Sequence, residues 1–470
     1  MQTGKRMNNM EHNGYQNQDI CFLARIVLEA ETPLKIGSGH GNVMTDSAIV
    51  RDVNNLPFIP ATTLQGILRH ALTDKTMAER MMGWQEGGNG RGSFLTISEA
   101  KLVNEKGKPM DGLQDRAETE KDEFLRYFTM MPIRQHVRIS HKGTAENQGK
   151  FDEEVVVRGT RFCFDVQLEA DAANGENDFL KFLSHLKDKT FRIGGGSRKG
   201  FGKVKVVQVY YCKLDFNNPD DFKAYMNKPA CLAEPWDRYK PLAITADVEQ
   251  AVTHYELRLH PLDFILFSSG LGDENSDMAI VHEPIIEWTE GQGHWLDEKS
   301  TLVIPASSVK GAIAHRTAFH YNRLCGAFAD DNTEQAKTGN DNPAVRSLFG
   351  YAGSGDGKDK QRGRVLFTDI VAKRIAEDEP KILNHVKIDR FTGGTINGAL
   401  FCEEPLFADK EEVKLCMDVI GNSDDENVIK AFECALSDIC HGLLPLGGGV
   451  NRGNGRFQGT MIRNGKEYDA

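Results

Sequence analysis

The chain has 470 residues, 40% of them hydrophobic and 27% charged, with a net charge of −11 at neutral pH. This is the make-up of a soluble globular protein, long enough for two enlarged domains that each bury a core. No apolar run approaches the roughly 20 residues of a membrane-spanning helix. The acidic balance speaks against indiscriminate nucleic-acid binding but leaves room for a local basic site.

The opening stretch Met1–Asp19 is polar, rich in Asn and Gln, and lacks the apolar core of a signal peptide. It reads as a disordered lead-in (residues 1–19) to a cytoplasmic protein. An alternating strand follows, with Phe22, Ala24, Ile26 and Leu28 on one face. Next come a glycine-bearing bend over Ile36–Gly41, a short strand, and an Ile59-Pro60 segment that leads into a helix. Phe179, Leu180, Phe182, Leu183 and Leu186 form the apolar stripe of a second helix. A glycine-rich loop, Gly194–Gly202, and a closing strand, Val204–Tyr211, complete the unit over residues 20–212. Residues 213–250 contain Asn217-Asn218-Pro219-Asp220-Asp221 and three further prolines, and read as an interdomain connection.

The same order of elements then returns over residues 251–470. Tyr255, Leu257 and Leu259 share a strand face, a bend falls at Ser268–Gly272, and Val428, Ile429, Phe432, Ala435, Leu436 and Ile439 form the later stripe. Ile59-Pro60-Ala61-Thr62-Thr63-Leu64-Gln65-Gly66 recurs as Ile304-Pro305-Ala306-Ser307-Ser308-Val309-Lys310-Gly311. His136-Val137-Arg138-Ile139 recurs as His385-Val386-Lys387-Ile388, and Gly194–Lys203 recurs as Gly447–Arg456. Three matches in one order make the chain a tandem duplication. Strand–helix–strands–helix–strand is the ferredoxin-like, RRM-like plan, so the expected fold is α+β: two tandem domains with long polar insertions such as Gly83–Arg91 and Ala327–Lys360.

Gly194, Gly195 and Gly196, matched by Gly447, Gly448 and Gly449, permit positive φ and leave amides unshielded, which suits an anion-binding nest. Arg198, Lys199 and Lys203 interleave the first loop; Arg452 and Arg456 interleave the second. No lysine stands in Walker A spacing. Thr62 and Thr63, and likewise Ser307 and Ser308, fall where a helix begins and read either as hydroxyl caps alone or as caps that also attract phosphate, with Lys310 close by. Gly66 and Gly311 weaken those helices unless another backbone or a ligand comes close. His136 and His385 sit beside strand residues and read as structural or RNA contacts rather than general acids. Nine cysteines without a CxxC pair read as buried reduced thiols, not as a zinc site.

The segment Leu28–Ala71, with Asp46-Ser47-Ala48-Ile49-Val50-Arg51-Asp52, together with the two glycine-rich loops, resembles the signatures of the RAMP superfamily, and within it the repeating backbone subunit of type III CRISPR effector complexes. Fusion of two such subunits is similar to the type III-D branch. The resemblance implies a palm that holds guide RNA (crRNA) and a thumb hairpin in each copy, here His136–Arg158 and His385–Pro405, with a polar tip at His141–Gly149. Arg138, Lys387 and Arg390 become backbone contacts. It further implies target-RNA cleavage dependent on a divalent metal, Mg2+, with Asp46 as catalytic and metal-holding residue, alongside other subunits of the complex. The equivalent stretch of the second copy reads Val281–Glu287, with no aspartate where Asp46 would fall; Asp277 and Asp273 precede it and either can reach the place. A noncatalytic guide scaffold and a guide-precursor processing nuclease are the alternatives.

Overall fold

The computed structural model describes residues 14–41, 45–246, 251–268, 272–297, 301–327, 337–351, 353, 360–373, 381–407, 412–423 and 425–469. In the first domain the strand Ile20–Ala30 lies between Arg161–Ala170 and Val204–Asp215, antiparallel to both. Leu95–Ile97 pairs on the far side of Arg161–Ala170. In order of appearance the four strands are therefore arranged 4-1-3-2, with helices Ala61–Ala71 and Gly175–Ser184 after the first and third. The second domain repeats this order with Phe457–Arg463, Val252–Pro261, Val413–Ile420 and Val365–Phe367, and with helices Ala306–Leu324 and Glu426–Cys440. Both are the ferredoxin-like plan that the element order implied.

Strand alternation decides what each face touches. Phe22, Ala24, Ile26 and Leu28 enter the core under the helices, where Phe22 stacks on Phe179 at 5.9 Å. Tyr255 meets Phe432 edge-on at 5.6 Å in the second copy and donates to Glu433 Oε1 at 2.7 Å. The opposite face of the first sheet carries Cys21, Leu23, Cys212 and Leu214, covered by Phe216, Tyr225, Trp236 and Tyr239. Residues 213–246 thus pack as a cover over that sheet. The helix Pro219–Met226 and the short strand Lys240–Pro241 belong to it, and Arg25 fastens it by donating to the carbonyls of Leu232 and Glu234. Of the expected lead-in, residues 1–13 lie outside the described residues. Tyr15 is buried and donates to Asp178 Oδ2 at 2.8 Å, so order begins before Asp19.

Each domain carries a hairpin between its second and third sheet strands, Ile133–Ile139 with Ala145–Glu154 and Leu383–Ile388 with Thr395–Glu404. These match the expected thumbs. The first tip is shorter than the polar run suggested: Ser140 already bonds to the Thr144 carbonyl, and Ala145–Gly149 belong to the strand.

The domains meet head to tail through a charged seam. Arg134 of the first domain is buried between Glu283 and Asp369 of the second, donating to both. The loop residue Gly200 (φ +109°) lies so close to the second helix start that a Cβ there would fall 2.5 Å from that of Ala306. A hairpin of the second copy, Ile285–Thr289 with Gln292–Leu296, reaches back onto the first domain. Its Trp288 donates to the Gly159 carbonyl and lies 3.7 Å from the Arg161 guanidinium, while Trp295 donates to the Phe124 carbonyl.

Candidate RNA-binding seam and cleavage sites

Asp46 is exposed at the root of the first thumb. Its Oδ2 accepts from the Asp152 amide at 3.0 Å, and its own amide donates to Asp152 Oδ1 at 2.7 Å. Asp277 repeats the arrangement at the second thumb: Oδ2 accepts from the Cys402 amide at 2.8 Å, and its amide donates to the Cys402 carbonyl. Asp152 and Cys402 occupy the same thumb position, each one residue after a phenylalanine paired with the thumb histidine. The bridges Gly37–Ile49 and Ser268–Ile280 fix the same equivalence, with Asp46 and Asp277 each three residues before the isoleucine. The counterpart of Asp46 is therefore Asp277, and alignment of Val281–Glu287 with that region is displaced. The tryptophan hairpin is an insertion between this stretch and Ile304, so the repeat offset changes there. Asp273 instead closes a turn, accepting from the amides of Asn275 and Ser276, and those bonds hold its carboxyl below the ordinary range.

Next to each aspartate stands a buried glutamate. Glu153 is 1% exposed; His136 Nε2 lies 2.9 Å from it, Lys35 pairs with its other oxygen, and Lys199 is at 3.5 Å. Burial alone would raise its pKa, but the His136 and Lys35 hydrogen bonds and the Lys199 charge outweigh burial and hold it at about 2. Phe151 stacks on His136 at 4.9 Å and carries Lys199 over its ring at 4.4 Å. In the second copy His385, Arg452 and Asn454 surround Glu403, with Phe401 on His385 at 4.9 Å and Arg452 over Phe401 at 5.4 Å. Both histidines are clamped to a carboxylate and a ring, a structural arrangement that is one of the two roles expected of them.

Several amides of the glycine loops are already committed, some within the loop and some to the segment that leads into the opening bend. Gly195 donates to the Lys35 carbonyl, Lys199 and Phe201 to Gly196, and Gly202 to Pro33; Gly448, Arg452, Asn454 and Gly455 do likewise in the second copy. Gly194 (φ +84°) and Gly447 (φ +95°) are held against the carbonyls of Lys35 and Leu266, where a Cβ would fall at 2.2 and 2.6 Å. These glycines serve close packing, and positive charge at the seam comes from side chains instead. Pro60 and Pro305 occupy the helix N-caps, so Thr62, Thr63, Ser307 and Ser308 lie inside the first turn rather than capping it. Asp369 takes over at the second helix, accepting from the Ala306 amide at 2.7 Å. The space above Gly66 and Gly311 is open.

Across the seam the first glycine loop faces the second helix. Lys310 is half-buried, and burial, then Lys199, then Arg198 push it down to about 8. Arg198 donates to the Gly363 carbonyl, and burial followed by Arg362 and Arg192 pushes it down to about 10. The depression comes first from burial and second from the neighbouring cations, so Lys310 and Arg198 are partly desolvated beside like charge. Lys203 points elsewhere, to Glu31 at 3.3 Å in a seam cavity of about 260 Å³. Arg138 pairs with Glu146 at 3.0 Å across the first thumb; Lys387, Arg390 and Arg456 are exposed.

A profile of the RAMP superfamily matches residues 27–205 and 290–458, most of both domains. The chain belongs to the RAMP superfamily. Membership carries the coarse function, a CRISPR-associated RNA-binding subunit that works with crRNA in a CRISPR complex. No curated protein matches the chain, and no helix among the described residues is long and apolar enough to cross a membrane. Of the nine RAMP-chain cysteines, Cys21, Cys163, Cys212 and Cys440 are buried as expected, Cys325 is exposed and the other four are half-buried.

Sequence reasoning missed Lys35, Asp152, Glu153, Glu403 and Asp369. A signal for three of them was present: Phe151-Asp152-Glu153-Glu154 recurs as Phe401-Cys402-Glu403-Glu404. Likewise Asp46-Ser47-Ala48-Ile49-Val50 recurs as Asp277-Met278-Ala279-Ile280-Val281.

Proposed function

We propose that the chain is a fused pair of backbone subunits of a type III CRISPR ribonucleoprotein, holding guide RNA along both palms and cutting complementary target RNA in a divalent-metal-dependent reaction at Asp46 and Asp277. The observation that carries the RNA path is the cation cluster of Arg198, Lys199 and Lys310. Two domains contribute to it, and a phosphate there would supply the partly buried Lys310 with a counter-charge, offsetting first its burial and then its repulsion by Lys199 and Arg198. The cleavage reading rests on the shared placement of the two aspartates at the thumb roots.

Each thumb-root amide orients its aspartate by holding one carboxylate oxygen. From there the group can fix the 2′-hydroxyl of a bound target strand for in-line attack on the adjacent phosphate. Mg2+ is bound through one or two carboxylates and otherwise by water and phosphate oxygens, and the hard oxygens of Asp46 and Asp152 fit that demand. In the second copy Asp277 would hold the ion beside Cys402, a softer pairing. Bound there, the ion supplies charge neutralisation at the reacting phosphate.

The seam also supports docking to other subunits. Gly200 is covered by Ala306, whereas the space over its counterpart Gly453 is open. The helix start at Ala61 is the matching half left over in the first domain. Purification followed by sequencing of bound RNA tests the reading. One guide protected in two adjacent blocks supports it; absence of bound RNA, or one block unchanged on deleting residues 250–470, argues against it.

A further inference from the structure

The outer faces of the two sheets differ. On adjacent antiparallel strands, residues i and i+2 and their two partners form a square on one face. In the first domain that square is Cys21, Leu23, Gln167 and Glu169, and the cover formed by residues 213–246 packs over Cys21 and Leu23. The same square in the second domain holds His254 opposite Asp418 and Glu256 opposite Cys416. All four can ligate a metal, and none of the residues is fully exposed.

One donor atom from each of His254, Glu256 and Cys416 lies within 4.8 Å of the other two, the one such trio among the described residues. Asp418 Oδ1 lies 2.7 Å from His254 Nδ1. That contact fixes the ring and leaves Nε2 for a ligand, the carboxylate–histidine arrangement common behind metal-bound imidazoles. Tetrahedral Zn2+ holds its donors about 3.3–3.7 Å apart, so small side-chain rotations close the trio. Arg258 donates to Glu256 at 2.6 Å and is the competing cation, but it is half-exposed and able to swing aside. Buried Arg192 of the first domain approaches Asp418 at 3.9 Å and offsets its charge.

We propose that His254, Glu256 and Cys416 form a binding site for a borderline-soft divalent ion, Zn2+ foremost, with a fourth position left to water. The set of imidazole, thiolate and carboxylate disfavours Mg2+ and Ca2+, which take oxygen ligands. The site is separate from the thumb-root aspartates and independent of the cleavage reading.

The test is titration of the metal-free full chain with Co2+, read by absorption, then displacement with Zn2+. One Co2+ per chain with a thiolate-to-cobalt charge-transfer band is expected, lost in Cys416→Ser and weakened at least about 10-fold in His254→Ala. Retention of the band in Cys416→Ser, or its absence from the wild type, overturns the site. A second measurement needs no variant: alkylation of wild-type thiols mapped by mass spectrometry. Zn2+ should shield Cys416 while leaving exposed Cys325 reactive, and Mg2+ should shield neither. Equal alkylation of Cys416 with and without Zn2+ would also refute the proposal.

Discussion

Asp46 and Asp152 exchange two hydrogen bonds, amide to carboxylate in each direction, and so tie the catalytic candidate of the first RAMP domain to the root of its thumb. Asp277 is tied to Cys402 at the equivalent place through one such bond and one to the backbone carbonyl. The two sites therefore share a frame but not a second carboxylate.

Asp46→Asn keeps an oxygen to accept from the Asp152 amide and removes only the charge. Guide binding and thermal stability should stay near wild type, while cleavage at one position of a complementary labelled RNA falls by about 100-fold or more. Asp277→Asn should remove the other set of products, and Asp273→Asn should remove none, because that residue serves a turn. Denaturing gels of a reconstituted complex read all three. Intact product bands in the Asp46→Asn, Asp277→Asn double variant would make the chain a scaffold.

Burial, then Lys199 and Arg198, push Lys310 down to about 8, and a bound phosphate would raise that value. Binding then takes up a proton, so affinity for single-stranded RNA should fall as pH rises from 7 to 9. Lys310→Arg remains charged and should flatten the dependence. Lys310→Ala should lower the slope of log affinity against log salt by about 0.7 if one phosphate contact is lost. Fluorescence anisotropy measures both; identical slopes and a flat pH profile in the wild type would place the RNA elsewhere.

Arg134 is buried with Glu283 and Asp369, so its removal leaves two nearly buried carboxylates without their shared cation. Arg134→Met should cost about 3–5 kcal/mol, seen as a lower urea midpoint and looser docking of the domains. Arg134→Met combined with Glu283→Met should recover part of the loss, since only Asp369 is then left uncompensated. If the single variant unfolds like the wild type, the ion triad does not hold the seam.

Glu153 has a folded pKa of about 2 against an ordinary 4.5. Its stabilising contribution is present above pH 4.5 and is lost as the pH falls from there towards 2. Glu153→Gln leaves Lys35, Lys199 and His136 without their common anion. It should lower stability at pH 7 and shrink the loss of stability between pH 4.5 and 2. Urea unfolding at several pH values checks it, and an unchanged acid limb would remove Glu153 from the account.

The duplication and both ferredoxin-like plans were legible because they rest on local periodicity and on motifs repeated in order, whereas the two thumbs were expected only through the family resemblance. The folded cover at 213–246 was not legible. Its Phe216, Tyr225, Trp236 and Tyr239 follow no helical or strand period, and prolines and acidic residues between them read as a loop. Asp277 was half-legible: its repeat with Asp46 stood in the chain, but the inserted tryptophan hairpin broke the constant offset. That same insertion is the segment that clamps the second domain onto the first.

The sequence by itself determined which chain segments build each domain, because strand alternation, helical stripes and glycine punctuation are short-range properties of the backbone. Only the tertiary structure decided which charges meet. Arg134 finds Asp369 across half the chain's length, Lys310 finds Arg198, and His254 finds Cys416 by strand pairing. Some glycine-loop amides that looked available, among them those of Gly195 and Gly448, were already committed to the carbonyls of Lys35 and Leu266. Long-range pairing and burial set electrostatic potential, and neither is written in the spacing of neighbouring residues.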